Sequence, residues 1–353
     1  MSVVVGWDIG GAHLKAARAE HGRIVDAVQI AAPLRLGLEA LATSFAAAKA
    51  RMGAADLHAV TMTGELADTF SSRREGVESL VGMAERELPR TTVTVYAGRA
   101  GFIAPEAACA HVEDIASANW HASACLVART LRAALFVDMG STTSDIVPVR
   151  DGALAARGYT DAERLAAGEL VYTGLVRSFL MAKADRVPFA GSWTSLIKEN
   201  FTTMADVHRI LGNLPPDADQ MATADGRAKT VEASCARLAR MVGRDAHDAD
   251  AAAWTALAQW FCEAQLRQVV DAAMLVLSAA PFPSDAPIVA AGIGSAIVTE
   301  IARRLGRSCV AFEELLTVAP HARAWASHCA PAAALALLAS PDSVGRASIA
   351  TSR

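Results

Sequence analysis

Two short stretches of this 353-residue chain carry the same set of groups able to hold an anion. Near the start, VGWDIGGAHLKAARAEHG at 5–22 contains Asp8, Gly10, Gly11, His13 and Lys15. Further on, LFVDMGSTTSDIVPVRDG at 135–152 contains Asp138, Gly140, Ser141, Thr142, Thr143 and Asp145. The two align without a gap at a constant offset of 130 residues, which also lays Gly22 on Gly152. Turn glycines let successive amide N–H groups converge on an anion, and the Ser141, Thr142 and Thr143 hydroxyls add donors. A carboxylate at the strand end would repel a phosphate. Asp8 and Asp138 make chemical sense with a hydrated Mg²⁺ between, because magnesium keeps its waters and uses few protein carboxylates. Lys15 then reads as a phosphate-side cation, and Asp145, its equivalent, as a metal-side or base-side carboxylate. One such loop is also an ordinary glycine-bearing hairpin turn; two ungapped copies favour the phosphate reading, with catalytic parts for Asp8, Asp138, Asp145 and His13.

Other stretches offer weaker chemistry. PIVAAGIGSAIVTEIARRLG at 287–306 reads as strand, Gly292-x-Gly294, helix, so a helix start at Ser295 could meet an anion. Ile297 fills the third glycine position of a dinucleotide fingerprint, and close strand-to-helix packing explains the glycines equally well. His13 could donate to a substrate oxygen or be a turn residue. Asn119-Trp120-His121 is either a capping Asn with a packed Trp or a pocket lining. Asp225-Gly226-Arg227 is either a helix start or a bidentate diphosphate clamp. His321 and His328 read as surface residues, and no histidines have metal-ligand spacing.

The elements positioning these groups follow from periodicity. Strands are expected at Val3–Trp7, Leu14–Ala19 and Ile24–Ile30, then helix Leu38–Met52, strand His58–Met62, helix Arg74–Leu88 and strand Thr92–Ala97. Pro105 opens a helical region reaching Arg129. The second copy gives strands Ala134–Asp138, Ser144–Val149 and Ala153–Arg157, then a helix over Gly168–Met181. Residues 183–226 read as an irregular insertion with one helix at Met204–Leu211. Helices Arg227–Val242 and Ala251–Ser278, strand Pro287–Ala291, helix Ser295–Leu305, strand Cys309–Phe312 and helices Glu313–Thr317 and Arg323–Ala339 complete the chain. Hairpin strands followed by mixed helices and strands, done twice, predict a duplicated α/β chain. The expected lobes are 1–131 and 132–320, facing each other across a cleft, with helix 321–340 packing back on the first.

Composition agrees. With 53% hydrophobic and 20% charged residues, a large core is affordable and global disorder is excluded. A net charge of −4 without a basic tract argues against nucleic acid. Cys109, Cys125, Cys235, Cys262, Cys309 and Cys329 show no C-x-x-C spacing and read as reduced, mostly buried thiols of a cytoplasmic protein. A strand within three residues of the start leaves no room for a signal peptide, and the apolar run at 331–340 is too short to span a bilayer. Oligomeric state is not legible.

The two Asp-x-Gly hairpins and the late Gly-x-Gly turn resemble the actin-like ATPase (ribonuclease H-like) superfamily, whose fold has two lobes and a central cleft. TMTGELADTF at 61–70, ASANWHASA at 116–124, VDMGSTTSDIVPV at 137–149, GELVYTGLVRS at 168–178, FTTMADVHRILGNLP at 201–215 and TADGR…RLARMVGRD at 223–245 resemble one subgroup of its hydantoinase/oxoprolinase branch. That subgroup serves tetrahydromethanopterin-linked C1 metabolism. The resemblance implies a methanofuran- or methylofuran-biosynthesis transferase. Such an enzyme joins an aminomethylfuran-methyl diphosphate to the phenol oxygen of a glutamyl-tyramine or tyrosine and releases diphosphate. The chain departs from the pattern at Ser178-Phe179, where Thr-Pro is expected, which touches the substrate pocket and not the phosphate loops. Small-molecule substrates and Mg²⁺ are implied, with Asp8 and Asp138 on the metal. ATP stays open, since a kinase or amidohydrolase of the hydantoinase/oxoprolinase type would use the same loops.

Overall fold

A computed structural model describes residues 2–89 and 93–341. The first hairpin runs β1 (Val3–Ile9), β2 (His13–Glu20) and β3 (Arg23–Ala31). It is followed by α1 (Leu38–Met52), β4 (Leu57–Met62), α2 (Arg73–Glu87), β5 (Val93–Tyr96) and β6 (Phe102–Ile103). These strands form one sheet in the order β3-β2-β1-β4-β5-β6, with β1, β4 and β5 parallel. Thr92, the expected start of β5, lies outside the described residues. Then come α3 (Val112–Ile115), α4 (Asn119–Thr130), β7 (Ala134–Met139), β8 (Ser144–Arg150) and β9 (Ala153–Leu154).

The remainder is α5 (Asp161–Ala167), β10 (Leu170–Val171), the hairpin β11 (Arg186–Phe189) and β12 (Ser192–Ser195), α6 (Met204–Ile210), α7 (Val231–Met241) and α8 (Ala251–Ser278). It ends with β13 (Ile288–Ala291), α9 (Ser295–Arg304), β14 (Cys309–Ala311), α10 (Arg323–His328) and α11 (Ala330–Leu338). The second sheet runs β10-β8-β7-β13-β14, with β9 also on β8. Both sheets therefore share the pattern of third, second, first, fourth and fifth strand.

The duplication extends to backbone angles. His21 and Gly22 have φ of 52° and 72°, and Asp151 and Gly152 have 55° and 73°. Two successive positive φ values make the hairpin turn whose twist suits the flanking strands. The copies part after it: β3 has nine residues, whereas β9 has two and its place on β8 is shared with β10.

The chain divides into two compact units, unit 1 (1–136, 147–164 and 310–353) and unit 2 (137–146 and 165–309). In unit 1, α1 and α2 cover one face of the sheet through Phe45, Leu41, Val77 and Leu80, packed with Trp7 and Val60. The other face takes α11, whose Ala- and Leu-rich sequence is buried nearly all round, as a helix sandwiched in a core must be. Its approach is close: a Cβ on Gly6 would lie 2.0 Å from the Ala332 carbonyl oxygen. Pro331 separates α10 from α11 where one continuous helix is expected.

The expected helix over Gly168–Met181 does not form. Gly168 sits at φ 75°, and the amides of Leu175, Val176 and Arg177 bond the carbonyls of Gly140 and Ser141 in place of a helical ladder. The insertion is ordered by buried ion pairs. Arg237 bonds Asp206 at 2.7 Å and Asp225 at 3.1 Å, and Arg209 joins Asp206 to Asp219. Two of the six cysteines are buried, three half-buried and Cys109 exposed; none is bridged. Among the described residues no helix is long and apolar enough to cross a membrane.

Candidate active site

The first loop is closed by its own backbone: the Gly10 N–H donates to the His13 carbonyl at 2.9 Å. The second repeats this, Gly140 donating to Thr143 at 2.9 Å. The residue after each aspartate is held from a neighbouring loop. Ile9 accepts from the N–H groups of Thr63 and Gly64, both at 3.0 Å, and Met139 accepts from Gly294 at 2.9 Å. Gly292-x-Gly294 thus has a counterpart in unit 1, Thr63-Gly64-Glu65 after β4. Gly292 is sterically required, and Gly64 sits tightly. A Cβ on Gly292 would stand 2.3 Å from Asp138 Oδ1, and one on Gly64 would stand 3.2 Å from the Gly10 carbonyl carbon. α9 begins at Ser295 immediately after this contact.

In unit 1, Asp8 is 2% exposed and lies opposite Lys15 in the β1–β2 register. Lys15 Nζ is 3.5 Å from Asp8 Oδ2, while Asp8 Oδ1 has no hydrogen-bond partner. Burial pushes the Asp8 carboxyl up, opposed by the Lys15 charge and a hydrogen bond from Asn119. Asn119 is therefore not a cap; α4 has no side-chain cap, and the amide reaches the aspartate. Trp120 is buried with the Arg164 guanidinium 4.1 Å over its ring, and Tyr96 Oη lies 2.8 Å from His121 Nδ1. His13 is buried in the hairpin. His328 is half-buried, not a surface residue as expected; burial and the Lys15 charge push it down to about 4.

In unit 2, Asp138 is 7% exposed, and Ser141, Thr142 and Thr143 are half-buried. Asp145 pairs with Leu170 at the β8–β10 edge. The segment 174–177 seals the loop from behind: Leu175 donates to Gly140 at 2.9 Å, and Val176 and Arg177 donate to Ser141 at 3.1 and 2.7 Å. Arg177 Nη1 also reaches Thr142 Oγ1 at 3.4 Å. Spacing alone did not single out this cation beside the loop. Gln265 bonds the Gly174 carbonyl and Thr173 Oγ1, and Lys183 donates to the same hydroxyl at 2.6 Å. Burial pushes Lys183 down to about 8. Arg227 lies apart from this loop's contacts: its side chain is 67% exposed and 4.0 Å from Asp225.

The donor set can be weighed against magnesium. Among the described residues no group of three or more His, Cys, Asp and Glu side chains could hold a metal. A mostly hydrated ion needs no such group, and the buried Asp8 Oδ1, without a hydrogen-bond partner, is a suitable single ligand for one.

Residues 56–339 match hydantoinase/oxoprolinase proteins. The chain belongs to the hydantoinase/oxoprolinase family. Among family relatives, it is 35% identical over 191 residues to the "(4-{4-[2-(gamma-L-glutamylamino)ethyl]phenoxymethyl}furan-2-yl)methanamine synthase" of Methanocaldococcus jannaschii, covering 54% of this chain and 57% of that one. The protein of the same name from Methanococcus vannielii is 33% identical over 111 residues, 31% of this chain and 50% of that one. The matches thus span about half the length of these relatives. Acetone carboxylase, in its nucleotide-free structure, aligns with a TM-score of 0.59 at 12% identity over 95% of this chain and 70% of that one. This likeness places the hydantoinase/oxoprolinase chain in the actin-like ATPase fold.

Proposed function

We propose that the protein is a cytoplasmic transferase of methanofuran or methylofuran biosynthesis. It would join an aminomethylfuran-methyl diphosphate to the phenol oxygen of a glutamyl-tyramine or tyrosine and release diphosphate. The observation that carries the reading is the similarity to the two methanamine synthases. The chemistry of the loops supports it. A furfuryl carbon stabilises positive charge, so its bond to oxygen can break with the electron pair leaving on diphosphate. The protein must then neutralise the leaving charge and hold the phenol close.

In unit 2 the Gly140–Thr143 turn supplies amide and hydroxyl donors, and Arg177 a cation. In unit 1 Lys15 supplies the cation beside Gly10 and Gly11. Magnesium, when held by Asp8 or by Asp138, would add positive charge to the departing diphosphate. Asp8 itself, flanked by Lys15 and Asn119, is fixed before any ligand arrives.

The test uses furfuryl diphosphate carrying ¹⁸O at the bridging position. Ether formation should send the label out with diphosphate and proceed without ATP. Label retained on the furfuryl carbon, or a strict need for ATP, would replace this reading by a kinase or amidohydrolase of the same family.

A further inference from the structure

The loop Thr63-Gly64-Glu65 is seated on the Asp8 loop through two hydrogen bonds to Ile9, yet the chemistry above gives Glu65 no part. Glu65 is 1% exposed. Its Oε1 lies 2.7 Å from Ser117 Oγ, and its Oε2 has no hydrogen-bond partner. The same Ser117 hydroxyl lies 3.2 Å from Asp161 Oδ2, which accepts from Arg73 at 2.7 Å. The geometry is held firmly. Ser117 sits at φ 55°, and Gly76 of α2 leaves no room at the Glu65 backbone, a Cβ there falling 2.4 Å from the Glu65 carbonyl oxygen. Asn119, two residues beyond Ser117, bonds Asp8, so one turn touches both carboxyls.

Counting protons decides the charge. A hydroxyl has one hydrogen and cannot donate to two ionised carboxylates. Arg73 faces Asp161 directly, so the negative charge belongs there. Both Ser117 contacts are satisfied when Glu65 is protonated and donates to Ser117 Oγ, which donates in turn to Asp161. Burial acts in the same direction, pushing the Glu65 carboxyl up, with the Asp161 charge adding and Ser117 and Arg73 opposing. Neutral buried carboxylic acids that serve as donors are a recurring way to run acid chemistry at neutral pH.

We propose that Glu65 is a neutral carboxylic acid in the resting protein and the proton carrier of the reaction. As the furfuryl carbon–oxygen bond breaks, Glu65 gives its proton to a diphosphate oxygen. As the phenol oxygen bonds the carbon, the phenol proton returns to Glu65. The enzyme ends as it began, and the products are the ether and protonated diphosphate. The proton transfer rests on the ether-forming reading; the charge state of Glu65 does not.

Two measurements on the full chain test this. Infrared difference spectra of wild type against Glu65→Gln at pH 7 should show a protonated-carboxyl band, sensitive to D₂O and lost in the variant. Glu65→Asp gives a second reference if Glu65→Gln does not fold, since it keeps the carboxyl and moves the band. Calorimetry with inorganic diphosphate and magnesium should give Glu65→Gln an affinity within about threefold of wild type. Its ether formation should fall by roughly 10²–10⁴-fold. A missing band with ether formation intact in the wild type overturns the assignment of Glu65 alone, as does a Glu65→Gln variant turning over at the wild-type rate. A wild type with the band but no ether product sinks the ether-forming reading, and the transfer step with it.

Discussion

Gly174 tests whether the backing segment shapes the second phosphate loop. A Cβ at this position would stand 2.5 Å from the Thr142 amide nitrogen, 2.6 Å from the Ser141 carbonyl carbon and 2.7 Å from the Gly140 carbonyl oxygen. All three are backbone atoms of the loop, so no side chain can swing aside. In Gly174→Ala the loop must retreat by nearly an ångström, at an overpacking cost of about 1–3 kcal/mol. The same retreat pulls Gly140 and Ser141 from the N–H groups of Leu175, Val176 and Arg177, and losing one such bond adds about 1 kcal/mol. Thermal unfolding should therefore fall by roughly 3–10 °C. Diphosphate affinity should drop about tenfold, the equivalent of ~1.4 kcal/mol, because the displaced amides no longer converge. Gly11→Ala is the control: no atom lies within 4 Å of its added Cβ, and stability should stay within about 0.5 kcal/mol of wild type. Calorimetry and thermal melts on both variants decide it. A Gly174→Ala protein with the melting temperature and the diphosphate affinity of wild type refutes the argument.

Arg177→Ala should weaken diphosphate binding by about 1.5–3 kcal/mol with little change in melting, because the Arg177 N–H still bonds Ser141; unchanged affinity by calorimetry would remove Arg177 from the site. Asp8→Asn and Asp138→Asn should each weaken magnesium-dependent diphosphate binding, while Cys109→Ser, an exposed thiol, should not; equal affinities in both Asp variants and wild type would end the metal-bridged picture. Arg237→Ala leaves buried Asp206 without a main partner and should cost about 3–5 kcal/mol in urea unfolding, a loss under about 1 kcal/mol counting against the network. Burial pushes His208 down to about 4 from 6.5, so the native state takes up this proton later than the unfolded chain. Its contribution is complete above about pH 6.5 and is lost as pH falls towards 4. His208→Gln should flatten that acid limb, and parallel urea midpoints for variant and wild type between pH 7 and 4.5 would show the histidine is not its source.

Much of the fold was legible because its signals are local. Val3–Ile9 and Ala134–Met139 carry near-continuous apolar runs, and His21-Gly22 and Asp151-Gly152 spell their turns. Helix Ala251–Ser278 was legible from end to end because Asp250 caps its start and its apolar stripe is unbroken. The segment after Gly168 failed for the opposite reason. Its apolar residues have helical spacing, but its amides are claimed by carbonyls some 35 residues earlier, which no window of sequence can show. The short hairpin β11–β12 was missed too, its turn being Ala190-Gly191 with Ala190 at an unusual φ of 49°. In the site, the paired loops were visible and the side chains brought to them from elsewhere were not. Asn119 drew notice by composition, yet its contact with Asp8 depends on α4 beginning one residue before a cap would place it. The local sequence around Arg177, Glu65 and Ser117 names no chemistry for them, and geometry alone shows what each touches.

That difference bears on how the two copies came to be unequal. At the same hairpin position the first copy has Lys15 and the second Asp145. In unit 1 the cation is built into the strand opposite Asp8, and the carboxyl pair Glu65 and Asp161 is recruited through Ser117. In unit 2 the hairpin brings a carboxylate, and the cation comes from outside as Arg177, hung on the carbonyl of Ser141. The loop geometry is shared by the copies because it is backbone; the charges are not, because each is carried by a side chain that can be exchanged without disturbing a turn. Two turns of one backbone geometry thereby carry different charges. On the chemistry proposed here, Glu65 handles the proton, while Arg177 is a guanidinium that needs no proton to be charged. Exchanging the two hairpin charges, Lys15→Asp with Asp145→Lys, should then leave both loops folded, with Gly10 and Gly140 still bonded to residues 13 and 143, yet abolish turnover. In unit 1 the exchange removes the Lys15 ammonium and sets a second carboxylate against buried Asp8, a like-charge pair that pushes the Asp8 carboxyl further up. Retained turnover in the exchanged protein, beside an unchanged melting curve, would mean that the cradles and not their charges carry the chemistry.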